Sequence, residues 1–539
     1  MSPATTVGLR PAAPLLQDPA AAFRYPVLVE RLGALRLDRR AAGWIAALAA
    51  AVVAGILRFT RLGEPSSLVF DETYYVKDAF SYLQSGYERA WPEDANDSFN
   101  SGSPVGPLDE PEYVVHPPVG KWMIALGMHL FGADNAFGWR FGAAAAGCLT
   151  VLLVALIAWR MFRSPALGFT AGLLLAVDGH HLVHSRTSLL DVFLTFWIVA
   201  GFGALLLDRY DGRRRLAARL EEDVRGGAPG VSPAWGPWML WRPWRLAAGL
   251  CLGLAVGTKW SALAFVAVFG LMSVLWDVSA RRVAGVRLWL PAGVLKDGLP
   301  AFFTLLPAAL ASYLAAWTGW FRSDGAYNRT WAGQNPGEGW QWLPAPLRSL
   351  ADYHRSAFVF HNGLGSDHPY ESSAWSWLLL GRPTSFHYET YADGDAGCAA
   401  ASCSAAVTSV GNPLIWWAAA LCLPLLLLWW LGRRDWRAGA VLAGVAAGYL
   451  PWFAFPDRTM FYFYAVSFLP FLVLGLTYVL GLAAGAPEAP ARRRRIGLYA
   501  VGAYLVAVLL VSAFFVPVWT AEVIPYPDWR LRMWMPSWI

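Results

Sequence analysis

Two adjacent acids, Asp71 and Glu72, follow the first hydrophobic span in the run Val69-Phe70-Asp71-Glu72-Thr73-Tyr74-Tyr75. Carboxylates beside a membrane span are costly to bury and are placed there for chemistry or to hold a counter-charge. Arg58, thirteen positions upstream, offers that counter-charge or an anion site of its own. On a helix, neighbouring side chains diverge by about 100°, so the two acids are expected to have different partners. That spacing disfavours a glycosidase pair, whose carboxyls face one another across a single bond. It suits one general base beside a residue that binds substrate, metal or arginine. Helix capping, or pairing with Arg58 and Arg61, is the plainer alternative. Arg140, Arg186 and Arg458 lie with Arg58 at span ends on the side of Asp71. The planar arginine fork matches phosphate, although snorkelling to headgroups is the ordinary use of such residues. Cations and a carboxylate at one interface suit transfer from a lipid-linked phosphosugar. A phosphate leaving group needs charge stabilisation more than a proton donor. The attacking hydroxyl must lose a proton, and a nearby Asp can take it.

The elements that must position these residues are membrane spans. The chain has 539 residues, is 56% hydrophobic and only 15% charged, and contains 30 Trp; its mean hydropathy is +0.39. Soluble domains carry about 25% charged residues, so a polytopic membrane protein is expected. Net charge is +6, but the basic residues collect in short loops and nucleic-acid binding is a poor reading of them. Apart from Lys77, Lys121, Lys259 and Lys296 they are arginine, which with the abundant Ala and Gly suggests a GC-rich bacterial genome. About eleven apolar segments are expected to span, near 41–57, 139–159, 166–183, 189–207, 245–258, 260–276, 299–318, 413–431, 438–455, 460–482 and 497–518. The division at Gly257-Thr258-Lys259-Trp260 is the least marked. Arginine clusters at 39–40, 160–163, 209–215, 281–287, 433–437 and 492–495 fall on one side of that alternation. The positive-inside rule makes that side cytoplasmic, with the N-terminus inside and the C-terminus outside.

Residues 1–40 read as a mobile cytoplasmic tail before an uncleaved first helix, since no small-residue cleavage pattern follows the first apolar run. Two long loops, 58–138 and 319–412, are then extracytoplasmic, and loops of that length are commonly functional. The first also holds His116-Pro117-Pro118-Val119-Gly120-Lys121-Trp122. The apolar stretch 122–131 behind it is too short to span and reads as an interfacial helix. His116, His354, His361 and His368 do not form a compact metal-ligand set, so no metal site is assigned. Cys398 and Cys403 lie in the second loop, on the side where disulfides persist, and are expected to pair. Cys148, Cys251 and Cys422 lie in apolar runs as small hydrophobes. The basic segment 209–225 reads as a solvated loop near anionic lipid.

In this order the residues resemble the bacterial protein O-mannosyltransferases of the polyprenyl- or dolichyl-phosphate-mannose type. The matching pieces are Arg58-Phe59, Val69-Phe70-Asp71-Glu72, His116 to Lys121, Trp139-Arg140-Phe141, Ser185-Arg186 and Leu189-Leu190-Asp191. Further along come Asp352-Tyr353-His354, His368-Pro369-Tyr370, Trp375, Trp377, Arg382-Pro383, Gly411-Asn412-Pro413 and Arg458 to Tyr464. They extend over residues 58–470.

The resemblance implies an all-α polytopic GT-C fold, with a membrane module over 41–318, the large loop 319–412, helices over 413–518 and an outer tail 519–539. It implies mannose transfer from polyprenyl-phosphate-mannose to Ser/Thr of secreted proteins, with inversion, at the outer face of the plasma membrane. Asp71 would be the base and Glu72 would help bind donor or acceptor. Arg58, Arg140, His116, Lys121, Arg186 and Arg458 would serve the donor and its phosphate, with Arg140 the candidate for direct contact. A divalent cation is left open, and the Sec translocon is a candidate partner beside the bilayer itself. Two departures stand out: the second loop is too short for the β-trefoil module of eukaryotic members, and Thr73-Tyr74 replaces the family's common His-containing sequence after the acids. The alternatives are a GT-C transferase acting on a glycolipid or cell-wall glycan and, in another class, a lipid-linked-sugar transporter. A transporter would show repeated, broken helices with charges at the midplane, which this sequence lacks.

Overall fold

Apolar runs of twenty or more residues satisfy their backbone hydrogen bonds internally, which is why they become helices in hydrocarbon. The computed structural model describes residues 19–34, 40–226 and 233–539. The first span is α1 (Arg40–Phe59). The acids open α2 (Glu72–Ser85), and α3 (Val119–Phe131) is the short apolar helix of the first long connection. Then come α4 (Ala136–Phe162), α5 (Pro165–Ala176), α6 (Gly179–His184), α7 (Leu190–Gly226), α8 (Pro243–Val256), α9 (Ala262–Ala284) and α10 (Leu299–Ala316). The second long connection carries α11 (Ala345–Gly363), and the chain closes with α12 (Pro413–Arg433), α13 (Trp436–Tyr449), α14 (Leu469–Ala484), α15 (Ala491–Trp519) and α16 (Tyr526–Arg532). Among the described residues, seven helices are long and apolar enough to cross a membrane, and shorter apolar helices pack between them. Each of the eleven expected segments holds a helix, and the break between Val256 and Ala262 confirms the division at Lys259. The segment 166–183 is interrupted: α5 ends at Ala176, and Asp178 caps α6 by accepting from the His181 amide at 3.1 Å.

The architecture is helical as expected, and a small sheet is added outside the helices. In the second long connection β1 (Thr384–Ala392) pairs antiparallel with β2 (Ser402–Ser409), and β3 (Ile524–Pro525) adds to the other edge of β2. The hairpin tip is closed by the Cys398–Cys403 disulfide. The 519–539 tail is thus part of the folded structure at the Asp71 end. Arg382 donates to the carbonyls of Ser537 and Ile539, both at 2.6 Å, and the Trp538 indole donates to Leu380 at 2.6 Å.

At the opposite end, buried ion pairs join helices whose charges would otherwise lie uncompensated. Arg242 pairs with Asp208 of α7 at 2.6 Å and with Asp277 of α9 at 3.1 Å. Arg209 of α7 lies over the Trp436 ring of α13, 3.5 Å from its centroid. The tail over residues 1–40 differs from expectation where it is described, the rest lying outside the described residues. Leu28 and Leu32 are buried against Leu216 and Leu220 of α7, because residues 25–31 form a helix with an apolar face.

Trp538, 2% exposed, ties the tail to Leu380, in the turn before β1, and to Phe515 of α15. Trp538→Ala is expected to cost about 3–5 kcal/mol, read as a lower melting temperature in detergent micelles.

Candidate active site

The acid pair sits on a tight turn. Phe70 has a φ of +48°, a conformation that costs an L-residue roughly 1–2 kcal/mol. Its ring is held in compensation, stacked on Phe386 of β1 at 4.8 Å and edge-on to Phe463 at 5.6 Å. The turn is closed by the Glu72 amide donating to Val69 at 3.0 Å and the Thr73 hydroxyl to Phe70 at 3.0 Å. Asp71 is therefore the residue before α2 and Glu72 its first residue, pointing different ways as the helical spacing predicts.

Glu72 is fully buried, and its carboxylate is saturated. One oxygen accepts from Arg140 Nε at 2.8 Å and the Ser188 amide at 2.8 Å. The other accepts from Arg140 Nη2 at 2.8 Å and the Val69 amide at 3.0 Å. Arg140 is equally committed: Nη1 donates to Leu62 at 3.3 Å and Pro65 at 2.7 Å, and Nη2 donates also to Ser67 at 2.9 Å. A guanidinium offers five N–H donors and a carboxylate about four acceptor positions, so neither has capacity left for a ligand. The expected roles of Glu72 in substrate binding and Arg140 at the lipid phosphate are revised: together they hold the turn that presents Asp71.

Three further expected donor-site residues are also committed elsewhere. Arg58 donates to Ala54 and Ala176, at 3.3 and 3.1 Å, and to His181 Nδ1 at 2.8 Å. It packs so closely on α4 that a Cβ at Gly147 would lie 3.0 Å from its Nε. Arg186 caps the end of α1, donating to the carbonyls of Leu57, Arg58, Thr60 and Arg61 at 2.7–3.1 Å. Such a cap satisfies the unpaired carbonyls that end every helix. Lys121 is buried between Glu88 at 2.5 Å and Asp78 at 3.5 Å.

His116 and Arg458 are different, because both line a cavity of about 310 Å³ beside Asp191, Lys259, His361 and Tyr464. The His116 ring stacks on His361 at 5.2 Å, and burial, reinforced by Lys259, pushes it well below the usual histidine range. It is a neutral group there. Arg458 donates through Nε to the His361 carbonyl at 3.1 Å and lies 5.7 Å from the centroids of both Trp452 and Tyr464. Lys259 Nζ is 2.7 Å from Asp191 and 5.5 Å from the Phe463 and Tyr464 ring centroids. Asp71 does not line the cavity but lies within electrostatic reach of its Lys259 and Asp191. Burial raises the Asp71 carboxyl to about 6, with Lys259 opposing the rise and Asp191 adding to it, and the Tyr75 hydroxyl beside it favours the charged form.

Lys259 and Asp191 were not among the expected site residues. The signal was present: one of four lysines stands in the break between two spans, and an acid opens α7. Among the described residues no group of three or more His, Cys, Asp or Glu side chains converges as a metal site. The arrangement can hold an anion between Lys259 and Arg458 while a carboxylate beside it takes a proton.

Glu72→Gln leaves Arg140 buried without a counter-charge, which costs about 3–5 kcal/mol. Its melting temperature is expected to fall sharply, and Glu72→Gln/Arg140→Met is expected to recover part of the loss.

Comparison with known proteins bears on this geometry. Residues 108–220 match the family "Dolichyl-phosphate-mannose-protein mannosyltransferase", and residues 346–538 match "C-terminal four TMM region of protein-O-mannosyltransferase". The chain is 40% identical over 510 residues to the polyprenol-phosphate-mannose–protein mannosyltransferase of Mycobacterium tuberculosis, covering 93% of this chain and 92% of that protein. With the corresponding Corynebacterium glutamicum protein it shares 34% over 501 residues, covering 90% and 92%. The fold matches a chain of the Saccharomyces cerevisiae protein O-mannosyltransferase Pmt1-Pmt2 complex bound to the sugar donor. That match has a TM-score of 0.70 at 15% identity and covers 98% of this chain and 96% of that one. With its helical GT-C architecture and its extended identity to these relatives, the chain belongs to the polyprenol-phosphate-mannose–protein mannosyltransferase family.

Proposed function

We propose that this protein transfers mannose from polyprenyl-phosphate-mannose to Ser or Thr hydroxyls of secreted proteins, at the extracytoplasmic face of the plasma membrane. The observation that carries the reading is the 40% identity to a protein mannosyltransferase across 93% of the chain. Within the site, the free member of the acid pair stands beside a cationic cavity. In the reaction the acceptor oxygen forms a bond to the anomeric carbon as the bond from that carbon to the phosphate oxygen breaks. The electron pair leaves with polyprenyl phosphate, the hydroxyl proton passes to Asp71, and the configuration inverts. Lys259 and Arg458 stabilise the departing phosphate, whose charge grows as the bond breaks. His116, kept neutral, is a hydrogen-bonding group at the cavity wall.

The one-sided arginine clusters support a cytoplasmic N-terminus and an outer active site. An acceptor arriving from the Sec translocon fits that placement. A transferase acting on a glycolipid is the alternative reading; the 36% identity to the undecaprenyl phosphate-alpha-4-amino-4-deoxy-L-arabinose arabinosyl transferase of Pseudomonas aeruginosa, over 151 residues and 25% of this chain, carries nothing about the acceptor.

The test is mannosyl transfer from polyprenyl-phosphate-mannose to a Thr-containing peptide by reconstituted protein. Asp71→Asn is expected to lower the turnover rate about 10²- to 10⁴-fold, the usual contribution of a general base. Full activity in a normally folded Asp71→Asn protein removes Asp71 from that role. Wild-type protein that mannosylates a glycolipid instead of the peptide overturns the acceptor assignment.

The pH dependence follows from the raised Asp71 carboxyl, at about 6. The base acts when ionised, so activity is expected to be level above that value. Below it, activity should fall about tenfold per pH unit, as the ionised fraction does. A profile measured from pH 4.5 to 8 reads the inflection directly.

A further inference from the structure

Beyond the transfer reaction, we propose that a groove adjoining the catalytic cavity, behind Trp260, Leu263 and Phe358, holds one hydrocarbon chain of a bilayer phospholipid, separate from the donor's polyprenyl chain. The groove encloses about 880 Å³. Gly253 and Val256 of α8, Leu263 of α9 and Leu306, Ala309 and Leu310 of α10 form one wall. Its other wall includes Trp331, Trp340 and Phe358 of the second long connection.

Three observations point to a lipid chain. First, the wall belongs to spanning helices: Leu263 is 56% and Leu310 58% exposed, so the groove opens sideways where bilayer chains lie. Second, its lining offers a cation, because Arg355, exposed on α11, makes no side-chain hydrogen bond or ion pair among the described residues; of the two acids that also line the groove, Glu338 and Asp352, the latter accepts from Asn328 at 2.8 Å. A guanidinium above an apolar slot fits a phosphate headgroup whose chain fills the slot. Third, the catalytic cavity has its own apolar flank, formed by Phe265, Ala447, Pro451 and Phe455, none of which lines the groove. The donor chain therefore does not need the larger groove.

The two spaces share Trp260, Leu263 and Phe358 as a partition. Trp260 is held there by a directed chain of hydrogen bonds. Its indole donates to the Tyr313 hydroxyl at 3.2 Å, that hydroxyl donates to His354 Nε2 at 2.5 Å, and His354 Nδ1 donates to the Leu350 carbonyl at 2.7 Å. The carbonyl fixes the tautomer, because it can only accept. A chain in the groove therefore packs against the back of the wall whose other face adjoins Lys259.

The test uses the full chain in vesicles of phosphatidylglycerol bearing a photoreactive group on one acyl chain. After irradiation, adducts are mapped by mass spectrometry. Adducts are expected on the segments around Leu306–Tyr313 and Phe358, unaffected by excess unlabelled polyprenyl phosphate. Ala309→Trp, which fills the groove, is expected to reduce them to background. Leu310→Trp, at an exposed position, repeats the test should Ala309→Trp fail to fold. Absence of adducts at these segments overturns the proposal, as does undiminished labelling of a folded groove-filled variant. Displacement by polyprenyl phosphate also overturns it and assigns the groove to the donor. Labelling is independent of mannose transfer, so its failure and the failure of the proposed function are separately visible.

Discussion

The buried pair of Glu72 and Arg140 is the constraint on which the arrangement of the site depends. A carboxylate and a guanidinium removed from water are tolerated only when paired and otherwise hydrogen-bonded. Here both conditions are met, through two direct contacts and through carbonyls and amides from Leu62 to Val69 and from Ser188. The pair therefore fastens α4 to the strand of chain leading into α2 and to the start of α7. Asp71 is presented at the end of that fastened turn. A carboxylate held on such a turn has a defined direction, which the proposed base role requires.

Around this centre the charged residues divide into those that build and those that remain available. Arg58, Arg186 and Lys121 join elements across the bundle through bonds to protein atoms, although Arg58 Nε is left without a partner among the described residues. Lys259, Arg458 and His116 instead face a cavity. A cation between two spanning helices is thus not by itself a ligand site. The number of donors left over after the protein's own acceptors are served decides that.

The second long connection contributes more than cover. Phe386 of the hairpin stacks on Phe70 and supports its unusual backbone conformation, and His361 of α11 stacks on His116. The C-terminal tail pairs with the same hairpin through β3. Distant parts of the chain thus converge on residues 70–75. Loss of packing in the outer structure is transmitted to the acids by direct contact.

Composition and periodicity determined that the chain crosses a membrane many times and where its helices lie. Those properties depend on local hydrophobicity and on the length of a helix that spans hydrocarbon, so they are readable residue by residue. The ordered motifs likewise indicated the family and singled out Asp71. Sequence alone did not determine which arginine is free. Arg140 and Arg458 look alike in a one-dimensional pattern, yet one is saturated by Glu72 and loop carbonyls while the other borders a cavity. Lys259 and Asp191 are 68 residues apart, and only the packing of the break between α8 and α9 against the start of α7 makes them a pair. The sheet formed by β1, β2 and β3 was likewise hidden, since its third strand is two residues near the C-terminus. Tertiary structure decided these points because hydrogen-bond saturation and cavity lining are properties of distant residues brought together, and no local signal carries them.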